Sequence, residues 1–158
     1  MAEGEEQHRI DVRTEGYGNF FLQPNGVFAV DTTGQAVVMT TQDFAANNHQ
    51  VWESATQSGP MMVIDGQINS LFNDGSPNLH IRNAVGITPE GRVIFAKSQQ
   101  TVTFFELSSL MIQQGCSQAL YLDGFVSQTY LPELGIGSLE AGTSLGPLIA
   151  VFDKSPAI

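Results

Sequence analysis

Basic residues are scarce in this chain. Six Lys and Arg stand against 16 Asp and Glu, a formal net charge of −10 over 158 residues. A nucleic-acid partner calls for a basic face, and an anionic membrane surface repels the same excess of acid. The cations are Arg9, Arg13, Arg82, Arg92, Lys97 and Lys154, so an anion-binding site must draw on these or on backbone amides. Cys116 is the single cysteine, which excludes an intrachain disulfide. It has no histidine beside it in sequence and reads as a small core residue rather than a nucleophile. No stretch reaches the ~18 apolar residues of a membrane span. The acidic start, Met1 to Glu6, is not a signal peptide, and the compartment stays open. His8, His49 and His80 have no metal-ligand spacing, so neither a metal nor another cofactor is expected. There is also no phosphate-binding loop, no dinucleotide fingerprint and no nucleophile elbow.

What is present is a set of short apolar runs separated by turn residues. Ala119-Leu-Tyr-Leu122 suits a buried strand and runs into Asp123-Gly124, where the chain must turn. In open α/β sheets such strand ends are where ligands are met. Upstream, Thr103-Phe-Phe-Glu106 has the form of a capping box. Phe104, Leu107 and Met111 follow on one apolar helix face, and Gly115 supplies a stop. The spacing predicts a helix over 104–114. With strands at 92–97 and 119–122 it forms a βαβ unit of right-handed crossover.

Elsewhere, Val27–Val30 and Ala36–Met39 flank Asp31-Thr-Thr-Gly34 as a hairpin. Thr41 to Ala46 reads as a short helix on a Thr cap, and Val51 to Ala55 as a strand, with Trp52 a core or hinge anchor. Met61 to Ile64 is a buried strand turned by Asp65-Gly66. Residues 67–80 read as a long loop, and 81–88 and 92–97 as strands around Pro89-Glu-Gly91. Residues 125–131 read as mixed or extended, 132–146 as a second long loop and 147–152 as a last strand. The fold class is α+β, or mixed α/β: a mostly β-sheet core with one clear helix. Residues 1–14 form an acidic segment, frayed or an edge strand, and 15–154 a single domain.

Four segments carry a resemblance: Asn19 to Phe28, Ser58 to Gly66, Arg82 to Ile87 and Gly115 to Gly124. Their order and spacing resemble the phosphodiester glycosidase domain. This is the domain of the uncovering enzyme that removes N-acetylglucosamine from a phosphodiester-linked mannose, and of a bacterial, exopolysaccharide-biosynthesis-like branch. The resemblance covers about residues 15 to 152. It implies a hydrolase of glycosyl phosphodiesters or related glycosidic bonds, with a carbohydrate or sugar phosphate as partner. Family members are often secreted or periplasmic. The resemblance also implies a segment upstream of the first motif that would precede Met1. A sheet edge left uncovered there recruits other chains, so self-association into a homo-oligomer is expected. Phe125 and Val126 stand where the uncovering-enzyme branch has glycines.

Two residues lead the candidate chemistry. Arg82 offers a planar, permanent cation that matches two phosphate oxygens at once. Its plain alternative is a surface ion pair. Asp123 can stabilise or trap an oxocarbenium-like sugar carbon as phosphate leaves. Its plain alternative is an Asp-Gly turn. Ser127 can bond a phosphate oxygen or orient Asp123, and Gly124 allows backbone to approach a ligand. Gly59 and Asn25 lie in family motifs but also suit turns. His80, two before Arg82, would share its face on a strand. The competing reading of the whole chain is a non-catalytic sugar- or phosphate-binding or structural module.

Overall fold

The computed structural model describes residues 10–47, 49–122, 128–137 and 149–151. The chain divides into two compact units, Met1–Ser127 and Gln128–Ile158.

The first unit is built on two antiparallel sheets. One holds β1 (Gly26–Asp31), β2 (Ala36–Thr40) and β3 (Trp52–Ser58), in the order β2-β1-β3. The predicted hairpin forms β1 and β2. Its turn is closed by Asp31, whose carboxylate accepts from the Thr33 amide at 2.8 Å, the Thr33 hydroxyl at 2.6 Å and the Gln35 amide at 3.0 Å. Helix α1 (Thr41–Ala46) follows, capped by the Thr40 hydroxyl on the Asp43 amide. Trp52 is half-buried and stacks on Phe44, with ring centroids 5.3 Å apart. It therefore pins α1 to the start of β3.

The second sheet holds β4 (Met61–Ile64), β5 (Gln67–Ile68), β6 (Asn83–Ile87), β7 (Val93–Lys97) and β8 (Gln118–Tyr121), in the order β5-β4-β8-β6-β7. Helix α2 (Phe104–Gln113) connects β7 to β8. Both halves of its capping box are formed: Thr103 N donates to Glu106 Oε2 at 2.7 Å, and Glu106 N to Thr103 Oγ1 at 3.1 Å.

Side-chain alternation sorts the core into two clusters. Ala84, Ala119 and Tyr121 face α2 and meet Phe104, Leu107 and Met111. Val85, Ile87 and Leu120 face the other sheet and meet Phe28 and Val38. The five-stranded sheet is thus covered by α2 on one face and by the three-stranded sheet on the other. Gly86 is what lets α2 come close. A Cβ there would sit 2.6 Å from both Cys116 Sγ and Met111 Cε.

Several expectations are corrected. The strands joined by α2 are parallel, since both pair antiparallel with β6, but β6 lies between them. The βαβ unit is therefore split. The region expected as a loop over 67–80 begins with β5, paired to β4 through an Asp65-Gly66 turn. Ile10 to Val12 form no strand. The Gln57 side chain instead takes both backbone groups of Asp11, at 2.8 and 2.7 Å, and so imitates a neighbouring strand.

In the second unit, a 3-10 turn (Pro132–Leu134) is closed by a Leu131–Ile136 bridge. Residues 149–151 carry no strand, and the rest of the expected run 147–152 lies outside the described residues.

Candidate functional site

The starts of β1, β4 and β6 and the end of β8 gather at one end of the first unit. Arg82 stands there, immediately before β6. It is 1% exposed, which overturns the surface ion-pair alternative. Its backbone exchanges hydrogen bonds with Ser98: Arg82 N donates to Ser98 Oγ at 2.9 Å, and Ser98 N to Arg82 O at 2.8 Å. The guanidinium is held on several sides. Nε donates to the Val102 carbonyl at 2.9 Å and Nη2 to the Asn78 carbonyl at 3.0 Å. The Phe104 ring lies under it, 3.6 Å from Cζ to the centroid, and the Tyr121 ring is 5.7 Å away. Burial pulls its pKa below the ordinary arginine value, while Tyr121 acts the other way through charge and a hydrogen bond. A guanidinium is weakly hydrated and tolerates such a place better than an ammonium. The stacking on a buried ring contributes about 0.5–2 kcal/mol.

Tyr121 connects Arg82 to the other motifs. Its backbone N donates to the Pro60 carbonyl at 3.1 Å, and Met61 N donates to the Pro24 carbonyl at 2.8 Å. Gly59 and Asn25 are in contact. A Cβ on Gly59 would lie 2.8 Å from Asn25 Cβ and 2.8 Å from the Phe20 carbonyl oxygen. Glycine is needed there because the chains cross so closely. Asn25 is 1% exposed, and among the described residues its side-chain Nδ2 has no hydrogen-bond partner. A buried amide donor left unmet costs about 1–3 kcal/mol.

His80 is placed differently. It forms a two-way backbone bridge with Val102, at 3.1 and 2.9 Å, and is exposed where Arg82 is buried. Residues 81 and 82 fall outside β6, so strand alternation does not run from His80 to Arg82.

Asp123, Gly124 and Ser127 lie outside the described residues. The last described residue before them, Leu122, donates its amide to the Asn83 carbonyl at 3.1 Å. Asp123 follows Leu122 and Arg82 precedes Asn83, so each is one residue beyond a paired position.

In sequence, Phe104 and Tyr121 read only as core residues. Their second role follows from Arg82 being buried, and burial is not written into the local pattern around residue 82. Among the described residues no group of three His, Cys, Asp or Glu could hold a metal ion. A shallow groove lined by Gly34, Gln35, Pro89 and Glu90 lies at the other end of both sheets, away from these residues.

Comparison with known proteins gives four findings. A family model described as phosphodiester glycosidase matches residues 3–145. The YigE protein of Escherichia coli (strain K12) is 36% identical over 117 residues, which is 73% of this chain and 45% of YigE. The chain thus spans less than half the length of that relative. Among solved structures, the chain is similar to the zebrafish N-acetylglucosamine-1-phosphodiester alpha-N-acetylglucosaminidase catalytic domain auto-inhibited by its pro-peptide. That likeness has a TM-score of 0.49 at 18% identity, over 64% of this chain and 40% of the other. A hypothetical protein from Synechocystis aligns with a TM-score of 0.41 at 20% identity, over 56% of this chain and 18% of that one.

Proposed function

Since the chain belongs to the phosphodiester glycosidase family, we propose that it hydrolyses a glycosyl phosphodiester, with Arg82 holding phosphate and Asp123 acting at the sugar carbon. The observation that carries this reading is the hydrogen bond from Leu122 N to Asn83 O. It ties the exit of β8 to the entry of β6, one residue from each of the two groups.

The chemistry asked of each residue is modest. The bond between the sugar carbon and the phosphate oxygen breaks, and its electron pair leaves with phosphate. Phosphate is a good leaving group and needs little proton assistance. The Arg82 guanidinium balances the charge that develops on it. The Asp123 carboxylate stabilises or traps the electron-poor carbon. Water then supplies its oxygen to that carbon and a proton to the departing anion. Ser127 bonds a phosphate oxygen or orients Asp123, and Gly124 admits the ligand close to backbone. Asn25 and Gly59 form a wall of the site, and His80 lies at its rim. Because Arg82 is covered, engagement of phosphate requires a local opening over the guanidinium.

A second reading is a module that binds a sugar phosphate without turnover. A chromogenic glycosyl phosphodiester separates the two. The enzyme reading expects hydrolysis that falls at least ~100-fold in Asp123→Asn and in Arg82→Lys. Binding by calorimetry, with no Asp123-dependent release of chromophore, would favour the module.

A further inference from the structure

We propose that Phe104, the first residue of α2, is a positioning residue that fixes the plane of the Arg82 guanidinium, so that the helix start and the arginine work as one clamp. This rests on the functional reading above for its catalytic consequence but not for its geometry.

Three consecutive residues build the clamp. The Val102 carbonyl takes Arg82 Nε at 2.9 Å, Thr103 caps the helix, and the Phe104 ring lies 3.6 Å beneath Cζ. Two hydrogen bonds to carbonyls, on Nε and Nη2, set the in-plane orientation. Beside these bonds and the hydrogen bond with Tyr121, the ring below sets the tilt of the plane. Phe104 is itself held. Phe72 stacks on it with centroids 4.7 Å apart, and Tyr121 meets it edge-on at 5.0 Å. Phe104 is 7% exposed, so the ring has no room to turn aside. The capping box matters to the same end, because Glu106 and Thr103 lock the backbone that carries both the carbonyl and the ring. An arginine is demanded at 82 by this arrangement. A lysine offers neither a plane to stack nor a fork that reaches two carbonyls at once.

The test has an arm that needs no activity. In the full chain, hydrogen exchange of the Arg82 Nε–H is followed by NMR, with Arg82→Lys used to assign the signal. Phe104→Leu keeps an apolar side chain and removes the ring face. It should speed the exchange by about tenfold, the effect of losing ~1.4 kcal/mol of protection. Phe104→Met serves in its place where the leucine variant does not fold, since methionine adapts to irregular gaps. On a chromogenic glycosyl phosphodiester, kcat/KM should fall roughly 10- to 100-fold. Arg82→Lys added to Phe104→Leu should then cost far less than in the wild type, as coupled residues do. Leu110→Ala, on an exposed position of the same helix, should leave both readouts unchanged. Unchanged exchange in the ringless variant overturns the clamp, as does full additivity with Arg82→Lys. A wild type without turnover but with ring-dependent exchange would retire the enzyme reading and leave the clamp in place.

Discussion

Gly59 shows how little room a single residue leaves at this site. Any side chain there must displace Asn25 Cβ and the Phe20 carbonyl, each 2.8 Å from the position of an added Cβ. Backbone cannot swing away as a flexible side chain can. Gly59→Ala should therefore cost about 1–3 kcal/mol, read as a lower urea midpoint with an unchanged slope. A midpoint equal to the wild type would show that the crossing is looser than described. Asp31 is a residue of another kind, a carboxylate held below its ordinary pKa first by the Thr33 hydroxyl and then by the Gln35 amide. A depressed carboxyl stabilises the fold above its unfolded pKa and loses that contribution as pH falls through its folded value. Asp31→Asn should accordingly flatten the acid limb of a stability–pH curve below about pH 4. A variant that keeps the full acid slope would place that slope elsewhere.

At the scale of elements, the start of α2 was fully legible in the sequence. A Thr followed three residues later by Glu, ahead of an apolar face, specifies its own hydrogen bonds without help from the rest of the chain. Thr103→Ala removes the acceptor for the Glu106 amide and should cost about 1 kcal/mol by denaturant titration. No loss would mean that another group caps the helix in solution. The hairpin of β1 and β2 was legible for a similar reason, since its turn residues make their own bonds. The split of the βαβ unit was not. Whether a third strand inserts between β7 and β8 depends on where β6 finds its best partners, and hydrophobic pattern does not encode order across a sheet. The short β5 was missed because a two-residue strand has too few residues to show alternation.

At the scale of the molecule, charge is the dominant fact. A net charge of −10 repels an anionic substrate. The screening length falls from about 30 Å at 0.01 M salt to about 8 Å at 0.15 M. For a singly charged glycosyl phosphodiester, KM should therefore drop as salt rises across that range while kcat holds. A KM that climbs with salt would instead point to a locally positive cleft that outweighs the net charge. What the sequence determined by itself is local. It set the capping box, the turns, the alternation that divides the two cores, and the four segments through which the family shows itself. Each depends on residues a few positions apart, whose geometry is imposed by the chain. The tertiary structure decided the rest. It set β8 between β4 and β6, buried Arg82 on Phe104, and brought Asn25 against Gly59. Those outcomes join residues up to dozens of positions apart, and only the packing of both sheets and α2 around a shared core selects among such pairings.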